Sequence, residues 1–218
     1  SPDGKQIAFF SQRETRPGVY RKPLDGSGSE ELLFESAMDA HPTGFSPDGR
    51  TLLVQQQNQA TSWDLLAVPL EGERKPAVLA QTQGVECCAT LSPDGRYMAY
   101  ASDESGRIEV YVVPYPPTGR KWQVSSQTGA YPHFRADGRE IVYQKPADGT
   151  IMAASVSTAG TFSVGSETAL FKTRVPQTIE YVLRPLPDAQ RFLLVETVDE
   201  DVPKPLTVVL GWQALARR

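Results

Sequence analysis

Ser92-Pro93-Asp94-Gly95-Arg96-Tyr97-Met98-Ala99-Tyr100 joins a turn tetrapeptide to a short run of aromatic and aliphatic residues. Proline pre-sets φ at the second turn position, aspartate tolerates the third and can bond the backbone just beyond it, and glycine takes the left-handed conformation that closes the turn. The tetrapeptide recurs as Ser1-Pro2-Asp3-Gly4 and Ser46-Pro47-Asp48-Gly49, with degenerate copies at Arg135-Ala136-Asp137-Gly138 and Leu186-Pro187-Asp188-Ala189. Successive copies are offset by 45, 46, 43 and 51 residues, and a period in that range marks a repeat architecture.

Each copy is followed by the same grammar. A polar residue leads into an apolar run, as in Ile7-Ala8-Phe9-Phe10, Leu52-Leu53-Val54 and Ile141-Val142-Tyr143, and a second run follows a polar turn, as in Leu65-Leu66-Ala67-Val68 and Val110-Tyr111-Val112-Val113. A more polar third run comes next (Leu32-Leu33-Phe34, Val78-Leu79-Ala80, Trp122-Gln123-Val124), and a last strand, such as residues 41–45, 87–91 or 131–134, feeds the next turn. Runs of this length, rich in branched and aromatic residues, are strands. Helices are excluded because the apolar clusters are only three to five residues long and the turn motif or Pro23, Pro69 and Pro114 interrupt them at strand length. Four strands per unit of about 45 residues predict an all-β fold of β-propeller blades; a sandwich would not repeat one turn at near-constant spacing.

The chain of 218 residues, with 39% hydrophobic and 22% charged residues, has enough apolar material for a core. Its 17 glycines and 18 prolines suit a turn-rich fold, and a net charge of −4 gives no basic footprint for nucleic acid. No apolar run reaches the roughly 18 residues of a membrane-spanning helix. The repeats, beginning near 1, 46, 92, 135 and 186, divide 1–218 into about five units of a single propeller domain. The first unit lacks its innermost strand, so the chain reads as the carboxy-terminal part of a six-bladed or larger propeller whose open sheet edge could pair with a second copy. A closed five-bladed ring, with residues 208–210 completing the first blade, is the alternative.

The unit Ser-Pro-Asp-Gly-(Lys/Arg)-x-apolar, followed by Val-Tyr, resembles the TolB-like propeller repeat over essentially the whole chain. Residues 101–112 and 119–125, and the closing Thr207-Val208-Val209-Leu210-Gly211-Trp212, look like the carboxy-terminal propeller that some bacteria attach to serine/threonine kinases or winged-helix regulators. That resemblance implies a non-catalytic sensory or protein-binding module in the periplasm or another extracytoplasmic space. Ala136 and Ala189, standing where the motif has proline and glycine, predict less regular turns at those two places.

Kinase motifs and a Gly-x-Ser-x-Gly nucleophile elbow are both absent from the chain. Candidate binding residues sit instead on the innermost strands, facing the central channel: His41, Glu86, Cys87, His133 and Arg184. The histidines could bind an anion or a metal there, yet a metal site needs three or four suitably spaced ligands, and a hydrogen bond to neighbouring backbone is the plainer role for each. Cys87-Cys88 reads as a reduced pair whose thiols point to opposite faces of a strand. The turn aspartates Asp3, Asp48, Asp94, Asp137 and Asp188, with Gly4, Gly49, Gly95 and Gly138, are structural, since one carboxylate per turn cannot supply the six to eight oxygens of a calcium site. Gln55-Gln56-Gln57-Asn58-Gln59 reads as a solvated loop. Trp63, Tyr115 and Tyr131 are candidate anchors for a partner. The sequence thus predicts no cofactor and no catalytic residue, and a protein or small ligand at the loops or channel mouth. A hydrolase or lyase with a metal in the central channel is the alternative.

Overall fold

The computed structural model describes residues 1–173, 183–186 and 191–194, and every strand pairing among them is antiparallel. Strands β1 (Gln6–Ser11), β2 (Gly18–Pro23) and β3 (Glu31–Glu35) form a three-stranded sheet. Three four-stranded sheets follow. The first contains β4 (Ala40–Phe45), β5 (Thr51–Asn58), β6 (Ser62–Pro69) and β7 (Ala77–Ala80), in that order. The next contains β8 (Glu86–Leu91), β9 (Tyr97–Ser102), β10 (Glu109–Pro114) and β11 (Trp122–Gln123). The last contains β12 (Ala130–Phe134), β13 (Glu140–Lys145), β14 (Thr150–Ser157) and β15 (Ser163–Lys172). A further pair, β16 (Leu183–Pro185) and β17 (Phe192–Leu194), starts the next unit. Each four-stranded sheet is a meander that opens with the strand preceding the turn motif. Among the described residues the fold is all-β, as the repeat predicts, and no helix there is long and apolar enough to cross a membrane.

Side chains of successive strand residues point to opposite faces, and here both faces are covered. In β5, Leu52 and Val54 pack with Val19 and Leu33 of the preceding sheet, while Leu53 packs with Ala89, Met98 and Tyr100 of the following one. In β9, Tyr97 and Ala99 turn the other way, onto Ile141 and Tyr143. Val142 continues the alternation toward Phe171 and Phe192. The core is therefore a series of sandwiches between blades, which is why the middle strands read as continuous apolar runs rather than as alternating ones. The opening strands line the inner side of the stack, β8 lying between β4 and β12 and touching both.

The turns show how the motif works. In residues 46–49 the Gly49 N–H donates to the Ser46 carbonyl at 2.8 Å with Gly49 at φ +71°. Ser46 Oγ donates to Asp48 Oδ1 at 2.5 Å and accepts from the Thr51 N–H at 2.9 Å, while Asp48 Oδ1 accepts from the Arg50 N–H at 3.1 Å. Residues 92–97 repeat all of these contacts. The irregularity expected at the degenerate turn 135–138 is not found: Gly138 keeps φ +70° and donates to the Arg135 carbonyl at 2.8 Å. Asp137 still takes the Arg139 N–H, and the Arg135 guanidinium bonds Glu140 at 2.9 Å. Aspartate and glycine suffice to hold the backbone there. Asp188 and Ala189 lie outside the described residues.

A second repeat is hidden in the sequence because its flanking residues differ. Ser36, Thr82, Ser125 and Thr173 each follow the last strand of a sheet, at spacings of 46, 43 and 48 residues. Each hydroxyl donates a hydrogen bond: Ser36 to the Met38 carbonyl, Thr82 to Glu86, Ser125 to Glu109 and Thr173 to the Gly149 carbonyl. The first two bonds lie in the crossing to the next blade, and the last two tie the end of the final strand back to its own sheet. The glutamine run is also corrected, because residues 55–58 belong to β5 and Gln55 is buried.

Candidate functional site

Each of the three inner strands carries one extra residue at the same repeat position. The register slips between Pro42 and Gly44 in β4, between Cys87 and Thr90 in β8, and between Ala130 and His133 in β12. Such bulges re-aim side chains. At this position Cys88 and Tyr131 take φ of +62° and +55°, a region that non-glycine residues seldom occupy. The equivalent Pro42 has its φ fixed negative by its ring. The bulges fall within the inner strands and the turns follow the ends of those strands, and among the described residues no turn aspartate lines the pocket beside the bulges.

The bulges of β8 and β12 open onto one pocket of about 220 Å³, lined among others by Trp63, Cys87, Cys88, Ile108 and Tyr131 and by no charged residue. Its wall is braced from the neighbouring blade, where buried Gln55 Oε1 accepts the Cys88 N–H at 3.0 Å. Trp63, near the start of β6, also bridges to Val85. The residue after it, buried Asp64, fastens the hairpin end: its Oδ2 accepts from Asn58 at 2.7 Å, Thr61 at 2.9 Å and Gln81 at 2.6 Å. From Trp63 an aromatic ledge continues, with His41 tilted at 30° to it at a centroid distance of 5.7 Å and Phe10 meeting His41 edge-on at 5.6 Å.

The residues singled out by sequence are only partly brought together. His41 joins the ledge and Cys87 the pocket, and Trp63 and Tyr131 line that pocket as well. His133 is half-buried on β12 but does not line it. Glu86 does not face an open channel: it is fully buried, and its carboxylate accepts from the Thr82 N–H at 2.8 Å, the Thr82 hydroxyl at 2.6 Å and Ser102 at 3.0 Å. A buried carboxylate must be bonded, and these partners make Glu86 a strut for the blade crossing. Arg184 falls in β16, and its side chain lies outside the described residues. The expectation that the two thiols face apart is overturned, because the bulge turns Cys88 onto the same side as Cys87 and leaves the Sγ atoms 2.9 Å apart. Sequence reading missed Ile108 and placed Gln55 in a solvated loop, whereas Gln55 pairs with His41 of the inner strand β4.

The turn carboxylates are electrostatically settled. Hydrogen bonds from the serine hydroxyl and then from a backbone N–H hold Asp3 and Asp48 below the usual carboxylate range. At Asp94, burial pushes upward, but bonds from Ser92 and Arg96 outweigh it and the net shift is downward. Among the described residues, no three of His, Cys, Asp or Glu lie close enough together to hold a metal ion.

Comparison with known proteins fits this architecture. A tricorn protease homolog of Streptomyces coelicolor is 26% identical over 204 residues, covering 68% of this chain and 17% of that protein. The Tol-Pal system protein TolB of Francisella tularensis is 32% identical over 81 residues, covering 36% of this chain and 18% of that protein. The chain therefore spans less than a fifth of either curated relative. The crystal structure of TolB from Acinetobacter baumannii superposes with a TM-score of 0.60 at 24% identity, over 78% of this chain and 42% of that one, a likeness of fold alone. The TolB beta propeller domain family, PD40, matches residues 1–173, and with repeat, blades and turns in agreement the chain belongs to that family.

Proposed function

We propose that this propeller is a protein-binding module that receives an extended segment of a partner across the inner-strand ends. The supporting observation is the uncharged pocket into which two successive backbone bulges aim Cys88 and Tyr131, flanked by the Phe10–His41–Trp63 ledge. Interfaces are enriched in aromatic side chains and depleted of charge at their centre, and a few such anchors carry most of the energy. A pocket of this volume takes one apolar or aromatic side chain of a partner, while the ledge supports its neighbours. The resemblance to propellers attached to bacterial kinases and regulators makes sensing the corresponding biological role, in a periplasmic setting.

A displayed-peptide selection against the purified chain, followed by fluorescence anisotropy on the selected peptides, tests this. Trp63→Ala and Tyr131→Ala are each expected to weaken binding about tenfold or more, the equivalent of about 1.4 kcal/mol, with the melting temperature little changed. Peptides that bind equally well to the wild type and to both variants refute the proposed site. A second reading, a propeller serving a hydrolytic enzyme, draws on the likeness to the tricorn protease homolog. It is favoured instead if the purified chain retains a stoichiometric metal and selects no peptides.

A further inference from the structure

Cys87 and Cys88 are the protein's two cysteines. In a regular strand adjacent side chains diverge, yet here three observations bring the sulfurs into one place. The bulge of β8 puts Cys88 at φ +62°. Gln55 holds the Cys88 N–H from the neighbouring blade. Both residues then line the same pocket, with Cys87 half-buried and Cys88 buried. The backbone conformation belongs to the bulge itself, since Tyr131 shares it at the equivalent place in β12.

We propose that Cys87–Cys88 is a redox modification site, a reversible vicinal disulfide formed in the pocket wall by exchange with an external disulfide. Cys87, the more accessible thiol, reacts first. Its thiolate attacks one sulfur of the external disulfide, forming a mixed disulfide and expelling one thiolate, which takes up a proton. The Cys88 thiolate then attacks Cys87 Sγ; the Cys87–Cys88 bond forms, the mixed disulfide breaks, and the second half of the oxidant leaves as a thiol. The cysteine pair loses two electrons and two protons, and the external disulfide gains them to become two thiols. Thiolate attack of this kind requires sulfurs that can approach each other, and the bulge already supplies that placement. The proposal concerns covalent chemistry and stands apart from the partner-binding reading.

The test is equilibration of the folded chain in glutathione buffers of graded oxidised fraction, followed by alkylation and peptide mass spectrometry, with tryptophan fluorescence as a second readout because Trp63 lines the same pocket. As the oxidised fraction rises, the peptide carrying both cysteines is expected to lose the mass of two hydrogen atoms and to become inaccessible to alkylation. Reduction reverses both changes, and the chain denatured before oxidation shows ring closure only at a higher oxidised fraction. Cys88→Ser is expected to stop at the glutathione adduct on Cys87, and Gln55→Met to slow ring closure without slowing adduct formation. The proposal is overturned if both thiols remain alkylable throughout, if Cys87 keeps its adduct in the wild type, if the bond forms between chains, or if folded and denatured chains close the ring equally readily.

Discussion

Replacing Ser92 by alanine tests which side chain holds the repeated turn together. Ser92 is fully buried; its hydroxyl donates to Asp94 at 2.6 Å and accepts the buried Tyr97 N–H at 3.0 Å. The methyl group of alanine cannot accept, so the Tyr97 N–H is stranded out of reach of water. An unsatisfied buried donor costs about 1–3 kcal/mol. Asp94 is exposed by contrast, and the Arg96 N–H that it accepts at 3.1 Å can turn to solvent. Asp94→Ala should then cost about 0.5–1 kcal/mol, like other exposed side-chain caps. Taking about 2 kcal/mol for Ser92→Ala, the melting temperature should fall by about 4–8 °C, with a smaller fall for Asp94→Ala. Urea unfolding of both variants at neutral pH measures the difference, provided the m-value is unchanged. The reasoning is refuted if Asp94→Ala destabilises as much as Ser92→Ala, because the aspartate would then be the element that matters and the buried N–H would have found another partner.

Other outcomes follow from the same structure. Leu53→Ala empties part of the sandwich between the second and third sheets, where Leu53 is fully buried, and should cost about 2–5 kcal/mol in the same urea assay. Gly95→Ala places a Cβ that meets nothing within 4 Å at φ +70°, so its loss of about 1 kcal/mol is purely conformational, and a melting temperature equal to wild type would count against the left-handed turn. Asp3 and Asp48 have folded-state pKa values below the ordinary 3.8, so their contribution is present above that value and disappears as the pH falls through the folded-state range. Asp48→Asn should accordingly flatten the acid limb of urea midpoint against pH.

The repeat made the architecture legible without any tertiary information. A turn whose residue types match its dihedral demands, returning every 43 to 51 residues, fixes hairpin positions and strand lengths, and apolar runs on either side require that both sheet faces be covered. The proposed binding region was legible only in outline. Trp63, Tyr131 and His41 are of the right type, but their convergence depends on bulges, and a bulge is one inserted residue that leaves no mark on a single strand's composition. That insertion is why Cys88 defied simple alternation, and why strict strand logic would have separated two thiols that lie side by side. Glu86 illustrates the reverse error: its place on an inner strand suggested the channel, whereas Thr82 and Ser102 bond it in the interior. Those hydroxyls come from the blade crossing and the facing strand.

Sequence alone therefore determined the class of fold, the position of each turn and the alternating inter-blade core, because these depend on residue types within a few positions of one another. Tertiary structure alone decided which side chains share a pocket, which carboxylate is a strut, and that Gln55 of one blade braces Cys88 of the next. Those facts depend on a one-residue slip between paired strands and on the stacking of neighbouring blades, and contacts across blades join residues that no local pattern relates.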